Sequence, residues 1–238
     1  MFGFDLSEFK MFEKAPYETI DEKVEMELIT ESTKEVEKIY GKVFTVKVID
    51  YALRTVERIT GKRPDVDIDT LDKLKEYLLS ISKELPIPCY YVMFWAQYVA
   101  EKKLEGSLGV GYKISHTGIA KKAVELGGIE LEQAANVEEA LILLRKLTVK
   151  LKIAPIEFGY KVGDDGSLYL YHGGCAFFKG CKISMEKGVL QRPDGRITCG
   201  VTIVICQFLK SATKQEWDHA LLEFNEKGGY CIAKCTPI

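Results

Sequence analysis

The apolar residues of this chain change their period once, near residue 155, and that change limits what the chain can build. Upstream, Leu71, Leu74, Leu78, Ile81 and Leu85 recur at steps of three and four, as do Val137, Ala140, Leu141, Leu144, Leu147 and Leu151. Such steps give one apolar stripe on a helix. Downstream, Ile156, Phe158, Tyr160 and Val162 alternate, Gly163-Asp164-Asp165-Gly166 supplies a turn, and Leu168, Leu170 and His172 alternate on the way back. Period two around a glycine turn is a β-hairpin. The expected class is therefore α+β: N-terminal helices followed by a small antiparallel sheet packed against helices.

Other segments extend this reading. Thr19 to Glu22 has capping-box spacing and opens a helical stretch to about Tyr40. Lys42–Ile49 has the β-branched content of a strand, but helical spacing resumes over 50–60, and the whole span is read as helical. Asp69 or Thr70 caps the 71–85 stripe, which Pro86 and Pro88 stop. The helix from about Cys89 to Lys103 is apolar nearly all round, which implies burial or the wall of an apolar pocket. Phe94, Trp95 and Tyr98 are its candidate pocket residues.

Gly106, Gly109, Gly111 and Gly118 read as a flexible connector, with His116 as a cap or surface residue before a helix over 117–126. Their spacing fits neither a dinucleotide fingerprint nor a phosphate loop. A second hairpin is expected around Lys227-Gly228-Gly229, with a helix over 213–224 as the competing reading. Residues 198–210 fit strand or helix. A division would fall near 104–118, giving a mainly helical region 1–105 and an α+β ligand-binding region 106–238.

Composition removes some functions. The formal net charge is -2, and no basic tract carries interleaved aromatics, so nucleic acid is not an expected partner. The longest apolar runs are too short to span a bilayer, and Met1 to Lys10 lacks the pattern of a secretory leader. A cytoplasmic protein with reduced thiols is expected. Abundant Lys and Glu with scarce Gln lean thermophilic, a setting in which cytosolic disulfides also occur.

Six of the seven cysteines fall in the last third of the chain: Cys175, Cys181, Cys199, Cys206, Cys231 and Cys235. Thiolates are soft metal ligands and nucleophiles, so chemistry is sought here. No CxxC occurs. On a strand, Cys231 and Cys235 stand about 13 Å apart. On a helix, Cys199 and Cys206 stand about 10 Å apart. Neither pair can chelate one ion. A metal site must draw on several elements: His172 or Cys175, with Cys199 or Cys206, and with Cys231. Zinc or iron is the candidate ion. The competing reading of any one cysteine is a small buried hydrophobe. His172 and Cys175 are also the only sequence-local base and nucleophile for a cysteine-dependent hydrolase.

The Glu-Ala-Leu-Ile-Leu-Leu-Arg helix at 139–145, the following hairpin, Cys199 before an apolar segment and Glu-Lys-Gly-Gly-Tyr-Cys at 226–231 together resemble the 4-vinyl reductase domain. That family is predicted to bind small molecules or hydrocarbons. Cys199 and Cys231 match its first and last cysteines, while Glu223 stands at the middle one. The likeness implies an α+β sandwich related to the small subunits of the vesicle-tethering transport particle, with a ligand cavity between helices and sheet. Cys175, Cys206 and Cys231 also resemble the cysteines of L-2-amino-thiazoline-4-carboxylic acid hydrolases, with Gln207-Phe208-Leu209 where an aspartate is expected.

The expectation is a small-molecule-binding or sensing protein with an apolar pocket and a cysteine-rich end. A small apolar ligand is its main partner, and a homodimer is allowed. The alternatives are the hydrolase and an interaction domain stapled by zinc or a disulfide.

Overall fold

The computed structural model describes residues 4–106, 108–130 and 134–238. Met1–Gly3, part of the segment read against a secretory leader, and Ser107, within the glycine-punctuated connector, lie outside the described residues. Among the described residues there are eight α-helices and five strands: a short strand and six helices come first, then two hairpins with two helices between them.

Helices α1 (Glu22–Tyr40) and α2 (Lys42–Thr60) are separated only by Gly41, at φ 70°. A positive φ suits glycine and breaks the helix without a loop. The α1 cap is Asp21, whose carboxylate accepts from the N–H groups of Lys23 and Val24. Thr70 caps α3 (Leu71–Ser80) by accepting from Lys73. The proline pair then leads into α4 (Cys89–Glu105), in which Cys89 through Phe94 are all buried. The helix is held inside the molecule, as its all-round apolar surface requires.

The helix expected over 117–126 begins earlier, so that the connector from Val110 onward, Gly111 and Gly118 included, is helical. α5 runs over Val110–Gly127 and packs along α1. Its glycines permit that approach. A Cβ on Gly118 would sit 3.2 Å from the Ser32 Cα, and one on Gly111 would sit 2.9 Å from the Tyr40 ring. α6 (Val137–Leu151) is capped by Asn136 and presents its aliphatic stripe to the core. Arg145 on α6 is buried and donates to the carbonyls of Glu13, Pro155 and Ile156 at 2.6, 3.1 and 2.9 Å. This satisfies backbone acceptors where the chain turns into the sheet.

The sheet is antiparallel, in the order β1-β2-β3-β5-β4. β2 (Glu157–Val162) and β3 (Leu168–Gly173) form the first hairpin, with Asp165 as a turn residue accepting from Ser167. β4 (Trp217–Asn225) and β5 (Tyr230–Pro237) form the second, so the helical reading of 213–224 gives way to strand from 217 onward. Short β1 (Lys10–Met11) closes one edge. Between the hairpins lie α7 (Phe178–Glu186) and α8 (Gly200–Thr213). The ambiguous 198–210 segment is thus helical. Phe158, Leu170 and Cys235 face α6 and α8 in one core, while Tyr171 and Ile232 on the other face are covered by Phe9 and Phe4. No helix among the described residues is long and apolar enough to cross a membrane.

Candidate functional site: a thiol-lined cavity

In antiparallel pairing, partners across a ladder share a face. Phe158, His172 and Cys231 are aligned across β2, β3 and β5, so one row of the sheet carries an aromatic ring, an imidazole and a thiol. That row forms one wall of an internal cavity. The cavity holds about 1040 Å³ of atom-free space, part of it open toward solvent. Its apolar walls include Leu28 of α1, Ala120 of α5, Leu147 of α6 and Phe208 of α8. Its sulfurs are Cys175, Cys181, Cys199 and Cys231.

The residues expected to form a site therefore divide. His172, Cys175, Cys199 and Cys231 line one cavity, and Cys181 joins them. Cys206 lies apart from this lining, with its sulfur 3.1 Å from that of Cys235. Of the three pocket residues expected on α4, Phe94 lines the cavity. Tyr98 is fully buried behind it, and Trp95 is half-buried under the Lys187 ammonium. Among the described residues, no three His, Cys, Asp or Glu side chains are grouped closely enough to hold a metal ion as they stand.

The cavity holds its thiols and His172 in neutral forms. Burial pushes the Cys175 thiol up to about 12, and Cys199 nearby adds to the rise. Burial also raises Cys181 and Cys231, reinforced by neighbouring thiols. At Cys199, the cap residue of α8, burial outweighs the lowering by nearby Thr202 and Val201. Desolvation alone depresses His172 to about 3. Both of its ring nitrogens are buried without a hydrogen-bond partner. Buried polar groups are nearly always paired, so an unpaired imidazole on a cavity wall marks a place for an occupant.

Two wall residues carried no site signal in the sequence. Glu25 sits in the charged repeat of α1, yet it is buried on the cavity and accepts from the Ala154 N–H at 3.1 Å. Burial raises its carboxyl to about 7 despite that hydrogen bond. His116, expected at the surface, is fully buried within α5. Its Nδ1 donates to the Tyr112 carbonyl at 2.7 Å, so its Nε2 accepts from the Tyr98 hydroxyl at 2.8 Å. From there a buried polar chain runs outward. Tyr98 pairs with Tyr112. The Tyr112 hydroxyl meets Thr198 Oγ1 at 2.5 Å, and Thr198 meets His219 Nε2 at 2.5 Å. His219 and Tyr112 border a second, more open cleft beside Arg192 and Asp218. Gly200 joins the cavity wall to this chain: a Cβ there would sit 2.9 Å from the Phe94 ring and 3.1 Å from the Tyr98 hydroxyl.

No family model, no curated protein and no solved structure matches the chain. The site must be read from its own chemistry.

Proposed function

We propose that this chain binds a small, largely apolar molecule in the internal cavity and serves as a ligand-binding or sensing module. The observation that carries the reading is the cavity itself: aliphatic and aromatic walls, with an unpartnered imidazole and four thiols on its polar side. Apolar concavities with a few convergent polar groups are the usual form of small-molecule sites. The likeness of 136–235 to a family of predicted hydrocarbon binders points the same way.

Zinc or iron is a candidate second occupant. His172, Cys175, Cys199 and Cys231 would hold it, being soft or borderline donors on one cavity. Those thiols would first have to lose their protons and draw inward. A bound ion would anchor a polar ligand group. The hydrolase reading is less favoured. His172 makes no hydrogen bond to Cys175, and the sulfur is held as a thiol rather than an activated thiolate.

The test is saturable binding of the uncharged fluorophore N-phenyl-1-naphthylamine, alongside elemental analysis of protein purified without chelator. Wild type should bind one fluorophore per chain. Ala120→Phe, which puts a ring into the cavity, should weaken binding at least tenfold. Absence of saturable binding, or binding untouched by the filled cavity, refutes the reading. Metal content near one per chain supports the second occupant, and none removes it.

A further inference from the structure

Outside the cavity lining, a thiol–thiol contact lies between Cys206 in α8 and Cys235 in β5. The sulfurs are 3.1 Å apart, and the residues are 29 positions apart in sequence. That separation is about 1 Å longer than the ~2.04 Å of a disulfide bond. Cys206 is 1% exposed and Cys235 is fully buried. Neither sulfur is committed to the cavity, and the functional reading uses neither.

We propose that Cys206 and Cys235 are an oxidative modification site that closes to a disulfide, with a peroxide as oxidant. One thiol attacks a peroxide oxygen, giving a sulfenic acid and releasing water. The second thiol displaces the hydroxyl from that sulfur as a second water, forming the S–S bond. Two electrons leave the sulfur pair, and the O–O bond takes them. The buried sulfurs meet the oxidant through local opening, which small molecules exploit in packed interiors.

The bond would have a structural consequence. Val201, Val204, Ile205 and Phe208 of α8 line the cavity, and Cys199 caps that helix. Cys231 reaches the cavity from β5, four residues before Cys235. A covalent tie between α8 and β5 therefore fixes two cavity walls relative to one another. It holds whether or not the cavity takes an apolar ligand.

The experiment treats the full chain with hydrogen peroxide, denatures it in N-ethylmaleimide and weighs it. Five maleimide adducts are expected in place of seven, with all seven restored by prior reduction. A tryptic map should join peptide 197–210 to peptide 235–238, with fragmentation placing the bond on Cys206 rather than Cys199. Cys199→Ser should keep the bridge, while Cys206→Ser and Cys235→Ser should lose it. The oxidised protein should melt about 5–10 °C above the reduced one. Seven adducts after oxidation, or a bridge between other cysteines, overturns the proposal even if the serine variants do not fold.

Discussion

Replacing His172 with leucine should stabilise the protein, and the gain should grow in acid. The imidazole is 1% exposed, and neither nitrogen has a partner. An unpaired buried donor or acceptor costs about 1–3 kcal/mol. Leucine has a similar volume and no polar atoms, and the adjoining cavity absorbs small misfits of shape. A net gain of about 2 kcal/mol at pH 7.5 follows. The pH dependence adds to it. His172 titrates near 3 in the folded chain, against an ordinary value of 6.5. The unfolded chain therefore takes up the proton first. Stability is intact above about 6.5 and falls as pH drops toward 3. At pH 5, 1.5 units below the ordinary value, the imidazole costs about a further 2 kcal/mol. His172→Leu should thus lead wild type by about 2 kcal/mol at pH 7.5 and about 4 at pH 5. Urea unfolding at both pH values, extrapolated linearly, measures the two gaps. A less stable variant, or a gap that stays constant between the two pH values, refutes the argument. A stabilising replacement at a cavity wall is also what a residue kept for binding would show.

Two further outcomes test the buried polar groups. Glu101 is fully buried, takes one hydrogen bond from Gln97 and has its other oxygen unpaired; burial raises it to about 8. Its contribution is present below about 4.5 and is lost as pH rises toward 8, so wild type should weaken over that range. Glu101→Gln should flatten the decline by about 4–5 kcal/mol in urea titrations, and an unchanged slope counts against it. Thr198→Val removes one hydrogen bond from Tyr112, which keeps its pairing with Tyr98, and strands the Nε2 of His219, and should cost about 2 kcal/mol. Thr198→Ser should stay within about 1 kcal/mol of wild type, and equal losses in the two variants would deny the hydroxyl its role.

The sequence was most readable where one face is wet and the other dry. α3 and α6 bury a single side, so their period appears in the pattern of leucines, and the first hairpin shows in its alternating residues around a glycine turn. The second half of α5 agrees with the helix expected over 117–126, but its first turns read as connector because glycine has two meanings. Gly111 and Gly118 suggest a mobile connector, yet in the fold they let α5 lie against α1. His116, expected just before that helix as a cap or surface residue, lies inside it because the helix begins at Val110 rather than at 117. Glu25 was hidden because its neighbours Glu22 and Glu27 are ordinary helix charges, and only the tertiary packing turns position 25 inward. Convergence on one cavity was inferred for Cys175, Cys199 and Cys231 because spacing forbade adjacent pairs. The position of Cys206 was not inferable, since a residue seven places along a helix can serve a different layer.

The cavity draws Glu25 and Phe94 from the early helices and Cys231 from the final strand. No fragment of the chain owns it. A piece beginning after α4 would carry all four of the lining sulfurs and the sheet row with His172, but its hollow would be missing two sides and would flood. Anyone trimming this protein to its cysteine-rich half should expect to recover the donors without the chamber.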